Sequence, residues 1–249
     1  MSDTEIEHIH NYEIDMLREI ERITKNNSIK YYLAYGSAIG AVRHKGFIPW
    51  DTDVDIIVDI DDYERLDNLL SKELNEKYRV KNYKNDDAAS LLFSRVVLKN
   101  DNGITVHIDI FPMVGLPQNK LKQQIFIKLA RLINGFYFFK KVNPEIHYKN
   151  QGKKIRISKL LKIIAFPIPS KLLIFMKEKL EKLYPIKNGQ YVFNLCGAYG
   201  TKEIIPKDWL SEQVYFDFEN EKLPLPKEYD KYLTHIYGDY MTPKKDNYV

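Results

Sequence analysis

The segment Asp51-Thr52-Asp53-Val54-Asp55-Ile56-Ile57-Val58 constrains what this 249-residue chain can fold into more than any other. Its apolar run is short and β-branched, as in a buried strand, and two carboxylates stand two positions apart at its start. Residues i and i+2 of a strand point to the same face, so Asp53 and Asp55 project side by side. Carboxylates held that close repel each other. Either one takes up a proton or a cation bridges them, and a hard divalent ion that accepts one or two carboxylates plus phosphate and water oxygens suits the spacing. An isolated Asp-x-Asp is as readily a solvated strand end or a helix cap, so its neighbours must decide.

Upstream, Gly36-Ser37 separates the apolar segment 31–35 from a short helical stretch, 37–42. Strand, glycine turn and helix start succeed one another, which presents backbone N–H groups to an anion; alone, the same pair is an ordinary turn with a Ser cap. Downstream, Thr105-Val106-His107-Ile108-Asp109-Ile110-Phe111 alternates with the period of a half-buried strand, placing His107 and Asp109 on one face. Aspartate is poorly suited to a strand interior, so Asp109 reads as a third functional carboxylate. Arg43, His44 and Lys45 follow the turn helix as candidate phosphate clamps, with Arg95 as a further one and His107 as a substrate contact. Lys45 reads equally well as surface charge, His107 as a buried hydrogen-bonded histidine, Trp50 as core and Asp51 as a turn residue after Pro49.

Gly-Ser, then Asp-x-Asp on a strand, then a lone Asp on a later strand resembles the nucleotidyltransferase fold of polymerase-β-like enzymes. The wording from Gly36 through Gly40-Ala41-Val42-Arg43-His44-Lys45-Gly46-Phe47-Ile48-Pro49-Trp50 to Asp55 resembles the signature of the LicD family. That family includes phosphocholine transferases of bacterial surface glycans and fukutin-type ribitol-phosphate transferases. His107-Ile108-Asp109-Ile110-Phe111-Pro112 is similar to its second motif, and Phe218-Glu219-Asn220 through Leu225-Pro226 and Tyr229-Asp230 to Tyr237-Gly238-Asp239-Tyr240 to its C-terminal one. Two departures stand out: Thr52 occupies a position where Asp is frequent, and a single cysteine, Cys196, leaves no cysteine-rich zinc site of the fukutin type.

The resemblance implies an α/β (α+β) fold, a mixed nucleotidyltransferase sheet flanked by helices, to which this chain adds a basic helical lobe. Three regions are expected: a catalytic core at 1–118, the lobe at 119–189, and C-terminal elements at 190–249 that complete the substrate site. It further implies Mg²⁺ or Mn²⁺ on Asp53, Asp55 and Asp109, with Gly36 and Ser37 at the donor phosphates and Asp109 as general base or as ligand only. The donor would be a CDP-alcohol, CDP-choline favoured over CDP-glycerol and CDP-ribitol. The acceptor would be a sugar hydroxyl of a cell-surface glycan or lipid-linked sugar, and CMP would leave. Two other classes use the same fold: a small-molecule nucleotidyltransferase of the antibiotic-modifying type, consuming NTP, and a non-enzymatic membrane-surface protein.

At 44% hydrophobic content the chain can bury a sizeable core, and one cysteine excludes an internal disulfide framework. The acidic start, residues 2–10, lacks the basic and apolar regions of a signal peptide, so the protein is expected in the cytoplasm. Charge is unevenly spread: residues 120–182 carry a net +13 in a chain whose total is +4. Apolar residues recur there at helical spacing, and Phe136-Tyr137-Phe138-Phe139 adds an aromatic cluster. A cationic amphipathic lobe suits peripheral contact with an anionic membrane, at the inner face of the plasma membrane; the plainer reading is helices packed on the core with solvated lysines. No nucleic-acid-binding motif accompanies the basic residues, so nucleic acid is not expected as a partner. Helices are expected at 5–25, 63–78 with Asp61-Asp62 as cap, and 229–237. Strands are expected at 90–98 and 105–111, with 112–118 closing the sheet and Pro167-Ile168-Pro169 dividing the lobe.

Overall fold

The computed structural model describes residues 2–99 and 106–243; Thr105, the expected start of the Asp109 strand, lies outside them. The first helix, α1 (Asp3–Asn26), begins at a capping box in which Ser2 and Glu5 satisfy each other's backbone N–H groups. Its buried positions include Ile9, Glu13, Met16, Leu17, Ile20 and Ile23, which recur at helical spacing and face the core. One of those six is a carboxylate.

After α1 come β1 (Tyr31–Leu33), α2 (Tyr35–Ile39), a wide π-turn at Gly40–His44, β2 (Val54–Asp59), α3 (Ile60–Glu73), β3 (Tyr78–Lys81), β4 (Ser94–Leu98) and β5 (His107–Leu116). Strand order is β1-β2-β5-β4-β3, with β2 and β5 parallel and the other pairs antiparallel. Fold class therefore matches the expected mixed sheet flanked by helices. Asp59 caps α3 by accepting the Asp61 N–H at 2.9 Å, so the helix starts three residues earlier than expected. Asp61 and Asp62 fall in its first turn, where they complement the helix dipole.

The expected end of the central strand at Pro112 also moves. Strand β5 runs on to Leu116, because Pro112 stands where one neighbour replaces another: β4 pairs with His107 to Ile110, and β6 (Tyr191–Asn194) with Met113 to Leu116. A missing N–H costs least at such a changeover. Strand β7 (Ile204–Pro206) then pairs with β6 in the same sheet. A separate hairpin, β8 (Gln213–Phe218) with β9 (Glu221–Pro226), precedes α8 (Tyr229–Tyr237), the expected C-terminal helix.

Between β5 and β6 lies the helical lobe: α4 (Lys120–Lys141), α5 (Pro144–His147), α6 (Gly152–Ala165) and α7 (Ser170–Glu181). It packs through its own apolar cluster, in which Phe126, Ala130, Ile133, Leu173 and Leu180 meet Val114, Leu116 and Phe193. Burying each larger side chain there contributes roughly 1.5–3 kcal/mol. One cation lies within this contact. Lys177 is 1% exposed, pairs with Glu181 at 2.6 Å, donates to the Tyr83 hydroxyl at 2.9 Å and sits over the Tyr83 ring.

The π-turn departs from the expected 37–42 helix because the chain folds back on itself after Ile39. The Gly46 N–H reaches the Gly40 carbonyl at 3.4 Å, and Lys45 closes the turn with φ +58°. A Cβ at Gly40 would lie 2.4 Å from the Gly46 carbonyl oxygen. We expect Gly40→Ala to cost about 1–3 kcal/mol in urea unfolding, since backbone must move to admit the methyl group.

Candidate active site

Three neighbouring strands place one row of charged residues across the sheet: Asp55 on β2 faces Asp109 on β5, which faces Arg95 on β4. Directly paired residues share a face, so these side chains meet. Arg95 is ion-paired with Asp109: Nη2 donates to Oδ2 at 2.9 Å, and Nε lies 2.6 Å from Oδ1. His107 Nε2 stands 3.6 Å from the same Oδ1. Asp109 is 5% exposed; burial pushes its carboxyl up to about 6, Arg95 opposing the rise and Asp53 adding to it.

The glycine turn is strapped to this row. The Ala34 N–H donates to the Asp55 carbonyl at 2.9 Å, and the Asp55 N–H donates to Ser37 Oγ at 2.9 Å. Ser37 thus holds Asp55 in place from a buried position and does not line the cleft. Gly36 does line it, and a Cβ there would come within 2.6 Å of Asp51 Oδ2. The turn opens with Tyr35 at φ +48°, an unusual conformation for a bulky residue. Two buried hydrogen bonds secure it: Tyr35 donates its hydroxyl proton to Glu203 at 2.6 Å and accepts from Asn194 Nδ2 at 2.7 Å.

The cleft has a volume of about 420 Å³. Asp51, Asp53, Asp55 and Asp109 occupy one side; Trp50, Tyr35, Phe111, Tyr199 and Tyr237 form aromatic walls. Tyr35 and Tyr199 stack at 5.5 Å, and the Tyr199 and Tyr237 hydroxyls are 2.9 Å apart. Asp53 is the exposed member of the acid group. Burial and the neighbouring Asp53 push Asp51 up to about 7, and burial with the charges of Asp53, Asp109 and Asp51 holds Asp55 well above the carboxylate range.

Arg43, His44 and Lys45 do not line this cleft. Arg43 Nη1 donates to the Tyr240 carbonyl at 2.7 Å and Nε to His44 at 2.9 Å, so the turn is tied to the C-terminal segment. The Lys45 carbonyl accepts the Glu219 N–H at 2.7 Å, and Glu219 Oε1 in turn accepts the Phe47 N–H at 3.1 Å. The Glu219 and Tyr240 positions of the C-terminal motif therefore brace the turn. Asp230 supports them by accepting the Tyr240 hydroxyl at 2.7 Å.

Two acids escape the sequence reading. Asp51, read there as a turn residue, belongs to the acid group; only its two-residue spacing from Asp53 hints at that. Glu13 comes from α1, is fully buried, and neither carboxylate oxygen finds a hydrogen-bond donor. Burial, then the charges of Asp53, Asp51, Asp55 and Asp109, hold its carboxyl well above the usual range. Its signal in the sequence is an acid on the apolar stripe of a helix.

An uncompensated carboxyl with four more acids beside one guanidinium fits a hard divalent cation in donor type and charge. Among the described residues, no three His, Cys, Asp or Glu side chains already stand arranged as a ready coordination sphere. Fit therefore rests on donor type and charge at Asp53, Asp55 and Asp109, all three of which line the cleft.

A mixed sheet that presents paired carboxylates beside a glycine turn and an aromatic cleft defines a nucleotidyltransferase-type transferase domain. Residues 28–144 match the family described as LicD/FKTN/FKRP, nucleotidyltransferase domain, so the chain carries a LicD-type transferase domain. It is 28% identical over 246 residues to the lipopolysaccharide cholinephosphotransferase LicD of Haemophilus influenzae, covering 94% of this chain and 91% of that protein. It is 30% identical over 100 residues to the ribitol 5-phosphate transferases FKRP of Mus musculus and Homo sapiens, covering 39% of this chain and 20% of theirs.

Proposed function

We propose that this protein transfers a phosphoalcohol from a CDP-activated donor to a sugar hydroxyl of a cell-surface glycan or lipid-linked precursor. The observation that carries the reading is the row Asp55–Asp109–Arg95, flanked by Asp51 and Asp53, along a cleft walled by aromatic rings. Mg²⁺ or Mn²⁺ held by Asp53, Asp55 and Asp109 would neutralise the donor diphosphate and polarise the phosphorus. The acceptor oxygen bonds to the phosphorus bearing the alcohol, the bond from that phosphorus to the bridging oxygen breaks, and CMP leaves with the electron pair.

The chain's own residues divide the remaining work. Asp109, ion-paired with Arg95, is a positioning and ligating carboxylate rather than the proton acceptor. Asp51 also lines the cleft, and its carboxylate is the one placed to accept the acceptor's hydroxyl proton. Tyr199, Tyr237 and Trp50 offer ring faces that would hold a quaternary ammonium, which favours phosphocholine over glycerol or ribitol phosphate. The experiment is a panel of CDP-choline, CDP-glycerol and CDP-ribitol, followed by Mg²⁺-dependent thermal shift and CMP release. CDP-choline should give the largest shift, and Asp51→Asn should lower turnover about 100-fold or more. Pyrophosphate released from an NTP, with no response to any CDP-alcohol, would overturn the proposal.

A further inference from the structure

Helix α6 is packed inside out. Of its 14 residues only Ser158 and Ala165, small side chains, are buried, whereas Ile157, Leu160, Ile163 and Ile164 are between 48% and 69% exposed. Phe166, immediately after the helix, is 74% exposed. A surface helix of a globular protein turns its large apolar residues inward. Here the cations Lys153, Lys154, Arg156, Lys159 and Lys162 are interleaved with them, and α6 has no acid.

The neighbouring helices extend the same character. α4 packs on both α6 and α7 and leaves Leu121, Ile125 and Leu132 outward, at helical spacing along one stripe. Among the described residues, twelve of the sixteen large apolar side chains that are exposed come from 121–183, so the patch belongs to the lobe and not to the surface at large. Residues 120–182, nearly the same stretch, carry the net +13, leaving the rest of the chain net negative.

We infer that the outward face of α4, α6 and the Phe166 turn docks on an anionic lipid surface, with the aliphatic side chains entering the acyl boundary and the lysines meeting the headgroups. Charge complementarity selects this occupant: exposed apolar bulk and dense cationic charge on one helix face is what an interface of anionic headgroups over hydrocarbon accepts. Nucleic acid would satisfy the lysines and leave the isoleucines and Phe166 in water. The inference is independent of the transferase reading, because it uses no residue of the cleft. It has a geometric corollary. The Asn134 side chain of α4 donates to the Leu195 carbonyl at 2.7 Å, two residues before the cleft-lining stretch Gly197 to Tyr199, so the lobe is tied to the cleft rim.

The test is flotation of the full chain with vesicles of phosphatidylcholine alone or mixed about equally with phosphatidylglycerol, at about 50 and about 500 mM NaCl. Binding is expected on the mixed vesicles only, falling at least about tenfold at the higher salt. Leu160→Glu with Ile163→Glu should abolish it, and these exposed positions leave the core untouched. Lys153→Glu with Lys154→Glu, as a second variant, should weaken it and leave CMP release in solution unchanged. No flotation on either vesicle would overturn the inference, as would equal binding to both. So would tight binding of an oligonucleotide without vesicle binding, or a dimer in solution that Leu160→Glu dissolves.

Discussion

Asp55→Asn should lower CMP release by about a thousandfold or more and, in the same protein, raise the thermal midpoint measured without metal. The two effects share one cause. Asp55 lies in the centre of the acid group, and burial together with Asp53, Asp109 and Asp51 penalises its charge. An amide of the same shape removes that repulsion, and each kcal/mol so relieved corresponds to about 2–4 °C in a chain of this size. It also removes an oxygen donor for the proposed cation, so Mg²⁺ should no longer stabilise the variant. If the midpoint falls without metal, the acid group is held together by something other than a cation, and the functional reading loses its basis.

The pH dependence of the metal-free protein follows with a definite sign. Asp109 at about 6 and Asp51 at about 7 lie above the ordinary value of 3.8, so between about pH 4 and 7 the folded chain holds protons that the unfolded chain has released. Stability therefore falls as pH rises through that window, by about 3 kcal/mol for a shift of the size seen at Asp109. A divalent cation favours the charged carboxylates and should flatten the slope; thermal scans across the window with and without Mg²⁺ measure both.

Lys177→Ala should cost about 3–5 kcal/mol, read as the shift of the urea midpoint. Burial opposes the lysine's charge, and Glu181 with the Tyr83 hydroxyl overcomes that penalty and holds the ammonium charged. Truncation leaves Glu181 buried without its contacting counter-ion, at the contact between lobe and sheet. Lys177→Met combined with Glu181→Leu removes both charges at once and should recover most of the loss, because a buried pair and a well-packed apolar pair are close in free energy. Equal stability of the single variant and wild type would mean that water reaches the pair.

The carboxylates of β2 and β5 were legible in the sequence because strand periodicity is local: alternation alone puts Asp53 with Asp55 and Asp109 with His107. What joined them was not. That Asp55, Asp109 and Arg95 form one row depends on the register of three strands, and register is set by pairings distant in the chain. The cap of α3 illustrates the same limit at short range. Asp61-Asp62 read as the cap, but Asp59 caps instead, because β2 ends at Asp59 and sets where the helix begins. Pro112 read as a strand end, because its tolerance in β5 comes from a change of neighbours that no local pattern reports. Glu13 was missed for a related reason: an acid on an apolar helix face makes sense only once the acids it faces are known.

Helix α1 precedes residue 28, where the match to the family begins, yet it closes the acid group from behind with Glu13. It also holds the Asp51 carbonyl through His10 at 2.8 Å and anchors itself to β9 through Arg18 and Glu221. The border of the recognisable domain is thus not the border of the unit that folds cooperatively. A chain trimmed to start at residue 28 would keep the whole stretch that matches the family and lose the wall that Glu13 forms behind the acid group, opening those carboxylates to solvent.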